Sequence, residues 1–146
     1  MRGDARRRNL AAYPWSIEIA TRFGDMDFNE HLNNVAVAQL CEEGRVRFNF
    51  HLRATYPIGR PRFLVARVEI DYLGEGKYRV PTAMGVAVTA TGTSSWRVAM
   101  GLFQAGACIG LCDTVMVHRG DSEVGAGPAP IPDVLRAALG DFALRP

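Results

Sequence analysis

Apolar and polar positions along this chain follow two different rhythms, and the change near residue 63 divides it in two. From Ser16 to Phe23, Ile17, Ile19 and Thr21 fall on one face while Glu18 and Arg22 point the other way, the period of a half-buried strand. From about Asn33 to about Ala54 the apolar or small positions recur every fourth residue: Leu32, Ala36, Leu40, Gly44, Phe48 and Leu52. Val37 and Cys41 widen that stripe, and Glu42, Glu43, Arg45, Arg47 and Asn49 supply a polar side. The spacing predicts a long amphipathic helix with Asn33 as its N-cap, its side-chain oxygen accepting first-turn amides. Tyr56-Pro57-Ile58-Gly59 stops it. A glycine inside a helix costs about 1 kcal/mol relative to alanine, so Gly44 is expected to mark a close backbone approach.

Beyond residue 63 the period becomes two. Leu64, Ala66, Val68, Ile70 and Tyr72 share one face of a strand over 63–72, and Gly74-Glu75-Gly76-Lys77 turns the chain. Strands follow at about 78–90, with Pro81 implying an edge or bulge, at 94–104 and at 107–118. Short Gly-bearing turns join them into an antiparallel meander. Gly85, Gly101 and Gly110 inside the strands predict a bent sheet or close neighbours. The order strand, long helix, four strands predicts an α+β domain with a curved sheet around one helix. That domain is expected over 13–118, with a flexible basic tail at 1–12, a Gly/Pro linker at 119–131 and a short C-terminal helix within 132–146.

Composition adds limits. The chain has 146 residues, enough for one real core, with 48% apolar and 22% charged residues. The net charge of +2 owes much to MRGDARRR at the start, read as a solvated tail. Neither a nucleic acid nor a membrane is expected as a partner, since no apolar run approaches the ~20 residues that span a bilayer. Nothing resembles a secretory leader, and an odd number of cysteines (41, 108 and 112) argues for reduced thiols in a cytoplasm. Cys108 and Cys112, four apart in a strand, are expected on one face as small apolar residues. No G-x-S-x-G, P-loop or dinucleotide motif occurs, and His31, His51 and His118 have no metal-ligand spacing.

What remains is RFGDMDFNEHLNN, residues 22–34. Asp25 and Asp27 sit in a polar turn just ahead of a helix start, where unpaired N–H groups and a partial positive charge can hold a developing oxyanion. On pattern alone the favoured reading of both aspartates is as turn and capping residues, and of His31 as a hydrogen-bonded residue at the helix entry.

This stretch, with CEEGRVRF further along the helix, resembles the signature of the hotdog-fold acyl-CoA thioesterases of the 4-hydroxybenzoyl-CoA thioesterase type. The matching residues are Phe23, Gly24, Asp25, Asp27, His31, Asn33, Asn34, Glu42, Glu43 and Arg45. The likeness covers about 16–118. It implies a hotdog fold, hydrolysis of an acyl-CoA without metal or redox cofactor, and a homodimer or homotetramer with sites at the interface. It makes Asp27 the catalytic carboxylate, as nucleophile or general base, and the amide at or near Asn34 the oxyanion site, with His31 beside them. Asp25 becomes the partner that shapes the turn, and Asn33, Glu43 and Arg45 join it as substrate-binding positions. Arg62, Arg97 and Lys77 are candidates for the CoA phosphates. A carrier-protein thioesterase and a non-catalytic acyl-binding protein are the rival readings. Two residues depart from the family pattern. Gly44 replaces an alanine, and Glu30 replaces a glycine, adding a third carboxylate that either repels Asp27 or points to solvent.

Overall fold

A computed structural model of the chain describes residues 1–120 and 127–146. Its strands are β1 (Trp15–Ile19), β2 (Arg62–Tyr72), β3 (Thr82–Thr91), β4 (Ser95–Gln104) and β5 (Ala107–Arg119). Its helices are α1 (Asn34–Thr55) and α2 (Asp133–Gly140). The five strands form one antiparallel sheet in the order β1-β3-β4-β5-β2, curved around α1. This is the hotdog arrangement, α+β, as the sequence predicts.

The predicted helical stripe is the buried one. Ala36, Val37, Leu40, Cys41, Gly44, Phe48 and Leu52 face the sheet, and Met84, Val86, Trp96, Val98, Met100 and Leu102 meet them from β3 and β4. Gly44 is needed for a different reason than expected. A Cβ there would stand 2.0 Å from Met84 Sδ, so it makes room for a side chain and not for a backbone. The other side of α1 is not covered: Val35, Val46 and Phe50 are 68%, 37% and 62% exposed.

Irregularities in the sheet correct several boundaries and faces. β1 ends at Ile19, short of the predicted Phe23, which instead opens a 3-10 turn over 23–25. β3 begins only at Thr82, because Pro81 has no N–H to give a ladder. In β2 the register slips between Val65 and Arg67, leaving Ala66 as a bulge. Leu64 therefore lies on the face opposite Val68, Ile70 and Tyr72. In β5 a slip at the level of Leu102/Phe103 leaves Ile109 unpaired. It sends Cys108 to the outer face and Cys112 to the core, so the two do not share a face.

Both chain ends pack on this unit. The 1–12 segment is not a loose tail: 3-10 turns at Ala5–Arg8 and Leu10–Ala12 lie across the outer face of the sheet. Arg7 is 3% exposed. It donates from Nη1 to Asp113 Oδ1 (2.8 Å), from Nε to Tyr13 Oη (3.1 Å) and from Nη2 to the carbonyls of Met100 (3.1 Å) and Cys112 (3.3 Å). A basic residue is buried only when its charge is compensated, and here a carboxylate and four hydrogen bonds do so. Arg2 reaches Asp71 on β2 at 3.0 Å. Tyr13 lies on the paired Gly85 and Gly101, where a Cβ would come within 2.5 and 2.6 Å of it. Gly85 and Gly101 thus serve a side chain packed on the sheet. At the other end, α2 and Phe142 close the core, with the Phe142 ring 5.0 Å from that of Phe48. Of the expected linker (119–131), residues 121–126 lie outside the described residues, whereas Arg119 ends β5 and the Ala129 and Ile131 N–H groups donate to the His118 and Thr93 carbonyls. Among those described, no helix is long and apolar enough to cross a membrane.

Candidate active site

After β1 the chain makes two linked turns before α1 begins. In the first, Arg22 and Asp25 close on each other. The Arg22 N–H donates to Asp25 Oδ2 (2.7 Å), its guanidinium to Oδ1 (2.9 Å), and the Asp25 N–H to the Arg22 carbonyl (3.0 Å). Burial raises the cost of charge on Asp25, but these bonds and the Arg22 charge outweigh it and hold the carboxyl below the usual range. The Asp25 side chain is thus occupied by Arg22, and its carbonyl accepts the Asn33 N–H (2.9 Å).

The second turn is built around Asp27. Its N–H donates to the His31 carbonyl (2.8 Å), and its own carbonyl accepts the Glu30 N–H (3.1 Å). Its Oδ1 takes the N–H groups of Asn29 (2.8 Å) and His31 (3.2 Å). Among the described residues nothing bonds Oδ2. One oxygen is thus fixed by the backbone and the other is left available. Glu30 is exposed and has φ 63°, a left-handed conformation that favours glycine. That is the physical reason a glycine suits the position, and it directs the Glu30 carboxylate to solvent.

Asn33 then caps α1, its Oδ1 accepting the Ala36 N–H at 2.7 Å and its carbonyl the Val37 N–H at 3.0 Å. The amides of Asn34 and Val35 have no acceptor among the described residues, as a helix start leaves them. They open on a cavity of about 490 Å³ whose walls include Arg22, Asp25, Asp27, Asn33, Asn34 and Gln39. It adjoins a second cavity of about 550 Å³ that shares Arg22, Asp25, Ala36 and Gln39 and extends along α1 past Glu43.

The fold therefore gathers Asp25, Asp27, Asn33 and Asn34 at one cleft and places Glu43 in the adjoining one, where it pairs with Arg47 at 2.6 Å. It does not bring Arg45 there. That side chain is buried on another face of α1, paired with Glu42 at 3.3 Å. His31 is not on that cleft either: with Asp27 it lines a separate cavity of about 390 Å³, its Nε2 meets Glu75 Oε2 at 3.1 Å, and its main chain bonds Asp27. Sequence reasoning misses Arg22 and Gln39. Arg22 reads as a strand residue, although R-x-x-D spacing suits a residue bonding three positions ahead. Gln39 lies four places from Val35 and from Glu43, one helical face. Among the described residues no group of three His, Cys, Asp or Glu side chains stands ready for a metal.

The family model of the thioesterase-like superfamily matches residues 21–139. The chain belongs to that superfamily. Thioester hydrolysis is accordingly the class of reaction the superfamily supports for it. A thioesterase from Thermus thermophilus, solved with coenzyme A and Zn, is similar at 27% identity and TM-score 0.72, over 87% of this chain and 98% of that one. A predicted thioesterase from Bacillus stearothermophilus superposes with TM-score 0.78 at 23% identity, over 90% and 98%. A 1,4-dihydroxy-2-naphthoyl-CoA thioesterase from Synechocystis gives TM-score 0.73 at 15% identity, over 87% and 96%. The last two likenesses concern the fold. No curated protein matches the chain.

Proposed function

We propose that this superfamily member hydrolyses an acyl-CoA thioester to free acid and CoA, with Asp27 as the catalytic carboxylate and the Asn34 amide as oxyanion donor. The observation that carries this is the unequal Asp27 carboxylate: Oδ1 is held by two backbone amides, while Oδ2 is unpaired at a cleft shared with a helix N-terminus. The thioester carbon is attacked by Oδ2 directly, giving an anhydride that water then cleaves, or by a water whose proton passes to Oδ2. In either course the carbonyl oxygen gains charge, and N–H donors aimed at it lower the barrier. The C–S bond breaks to release a thiolate whose pKa of about 8.5 makes a strong general acid unnecessary.

CoA as the carrier is supported by the Thermus relative described with coenzyme A. The alternative of an acidic carrier protein leaned on a free basic N-terminus. That support is weakened, because Arg2, Arg6 and Arg7 are paired with Asp71, Asp4 and Asp113. Assembly with a second copy is supported by the β2 edge, where Leu64, Val65, Val68 and Tyr72 are 42–49% exposed, and by the uncovered side of α1. A reducing, cytoplasmic setting accords with Cys41, Cys108 and Cys112 all being free.

The test is a panel of acyl-CoA esters followed by free-thiol release. Asp27→Asn is expected to abolish hydrolysis while the fold is kept. Hydrolysis at near wild-type rate in that variant refutes the site. Activity confined to carrier-linked substrates refutes CoA.

A further inference from the structure

The turn between β2 and β3 packs against the Asp27 turn. Leu32 donates its N–H to the Gly76 carbonyl (2.8 Å), next to the His31–Glu75 contact of 3.1 Å. Gly76 has no space for a side chain: a Cβ would fall 2.7 Å from Leu32 Cδ1 and 2.8 Å from Ile109 Cδ1. The turn is in its own right anchored to the sheet by Gln104, the last residue of β4 and only 6% exposed. Gln104 accepts the Lys77 N–H through Oε1 (2.8 Å) and donates Nε2 to the Lys77 carbonyl (2.9 Å) and to Thr82 Oγ1 (2.7 Å). A buried amide needs partners. This one finds them on both the N–H and the carbonyl of a single residue of the turn, fixing its orientation as well as its place.

We propose that Gln104 and Glu75 are positioning residues for the hydrolytic reaction. Gln104 sets the 75–77 turn, and that turn, through Glu75 and Gly76, holds the His31–Leu32 main chain that holds Asp27. The proposal rests on the reading of Asp27 given above. Neither residue touches substrate. Their effect passes through two short contacts, the Asp27 N–H to the His31 carbonyl (2.8 Å) and the His31 N–H to Asp27 Oδ1 (3.2 Å). A shift of His31 therefore rotates the carboxylate and displaces the free Oδ2. Reaction rates are sensitive to such displacements, which is why an indirect contact can matter for turnover.

The decisive variant is Glu75→Ala, because its side chain is 70% exposed and the fold does not depend on it. It is expected to lower kcat about fivefold, the population change that losing one net hydrogen bond produces, with KM for the acyl-CoA unchanged. Amide hydrogen exchange at Asp27 and Leu32 is expected to quicken in the same variant. Glu75→Gln, which keeps an acceptor for His31, is expected to restore most of the rate. Gln104→Leu is expected to lower kcat further at temperatures where circular dichroism shows it folded. An unchanged kcat in Glu75→Ala, or a loss in Gln104→Leu that only tracks the unfolded fraction, overturns the proposal. Asp27→Asn distinguishes the two levels. If that variant keeps its activity, the catalytic reading has failed, whereas a dead Asp27→Asn beside a fully active Glu75→Ala fails the positioning role alone.

Discussion

Replacing Arg7 by alanine tests how the N-terminal segment is held. The Arg7 and Asp113 side chains are 4% and 7% exposed and 2.8 Å apart. Removing the arginine strands a buried carboxylate whose remaining cation is Arg97, 4.0 Å away. Breaking a buried pair by deleting one partner costs about 3–5 kcal/mol. With Arg97 able to swing closer, the lower end, about 3 kcal/mol, is the expected loss. For a chain of this size each kcal/mol moves Tm by about 2–4 °C, so Arg7→Ala is expected to melt about 6–12 °C lower. The assay is thermal unfolding by circular dichroism, with urea unfolding to check that the denaturant slope is unchanged. A companion variant, Arg7→Met with Asp113→Val, removes both charges and stays close to the original volume. It is expected to recover most of the loss, since well-packed apolar replacements of buried pairs are often neutral. If Arg7→Ala melts within a degree of the parent, the segment contributes nothing and the reasoning is refuted. If the double variant is no better than the single one, the loss is not electrostatic.

Three further outcomes follow from the same contacts. Burial, against the pull of Arg7, pushes the Tyr13 hydroxyl up to about 12. A phenol raised in the folded state stabilises fully below its unfolded pKa of about 10 and loses that contribution as pH rises towards 12, so stability should fall by roughly 2–3 kcal/mol across that window. Tyr13→Phe, read by urea unfolding at pH 9 and 11.5, should flatten the slope. Gly85→Ala drives a Cβ to 2.5 Å from the rigid Tyr13 ring, and overpacking of this kind costs about 1–3 kcal/mol in urea unfolding. Glu30→Gly relieves a left-handed residue at φ 63°. Weighed against the entropy glycine adds to the unfolded chain, it should raise stability by up to about 1 kcal/mol with kcat unaltered, and a destabilised variant counts against strain at this position.

The sequence made the repetitive parts visible. The fourfold stripe of α1, its Asn33 cap and the alternation in β4 are local patterns that burial rewards directly, and the structure uses them as written. The aspartate turn was visible too, because Asp25, Asp27 and Asn33 all bond within eight residues of one another. What escaped depends on single insertions or on distant partners. The bulges at Ala66 and Ile109 reverse the faces beyond them without disturbing any apolar pattern, because both faces of these strands carry apolar residues. Arg7 reads as a solvated charge until Asp113, 106 positions away, is brought beneath it. Arg45 looked like a site residue by its neighbours in sequence. Helical geometry points it away from Glu43, two residues earlier. Gln104 carries no motif at all, and its role exists only where β4 ends beside the 75–77 turn.

The N-terminal segment runs across the strands, from Arg2 at Asp71 on β2, past Arg7 at Asp113 on β5, to Tyr13 on the glycines of β3 and β4. Inter-strand hydrogen bonds run perpendicular to the strands, and a segment laid across them ties β2, β5, β4 and β3 together along that direction through side chains as well. It also takes up the outer surface at the sheet's middle, where two sheets of this curvature would otherwise lie back to back. That leaves the sheet's exposed large apolar side chains, among the described residues, on the β2 edge strand.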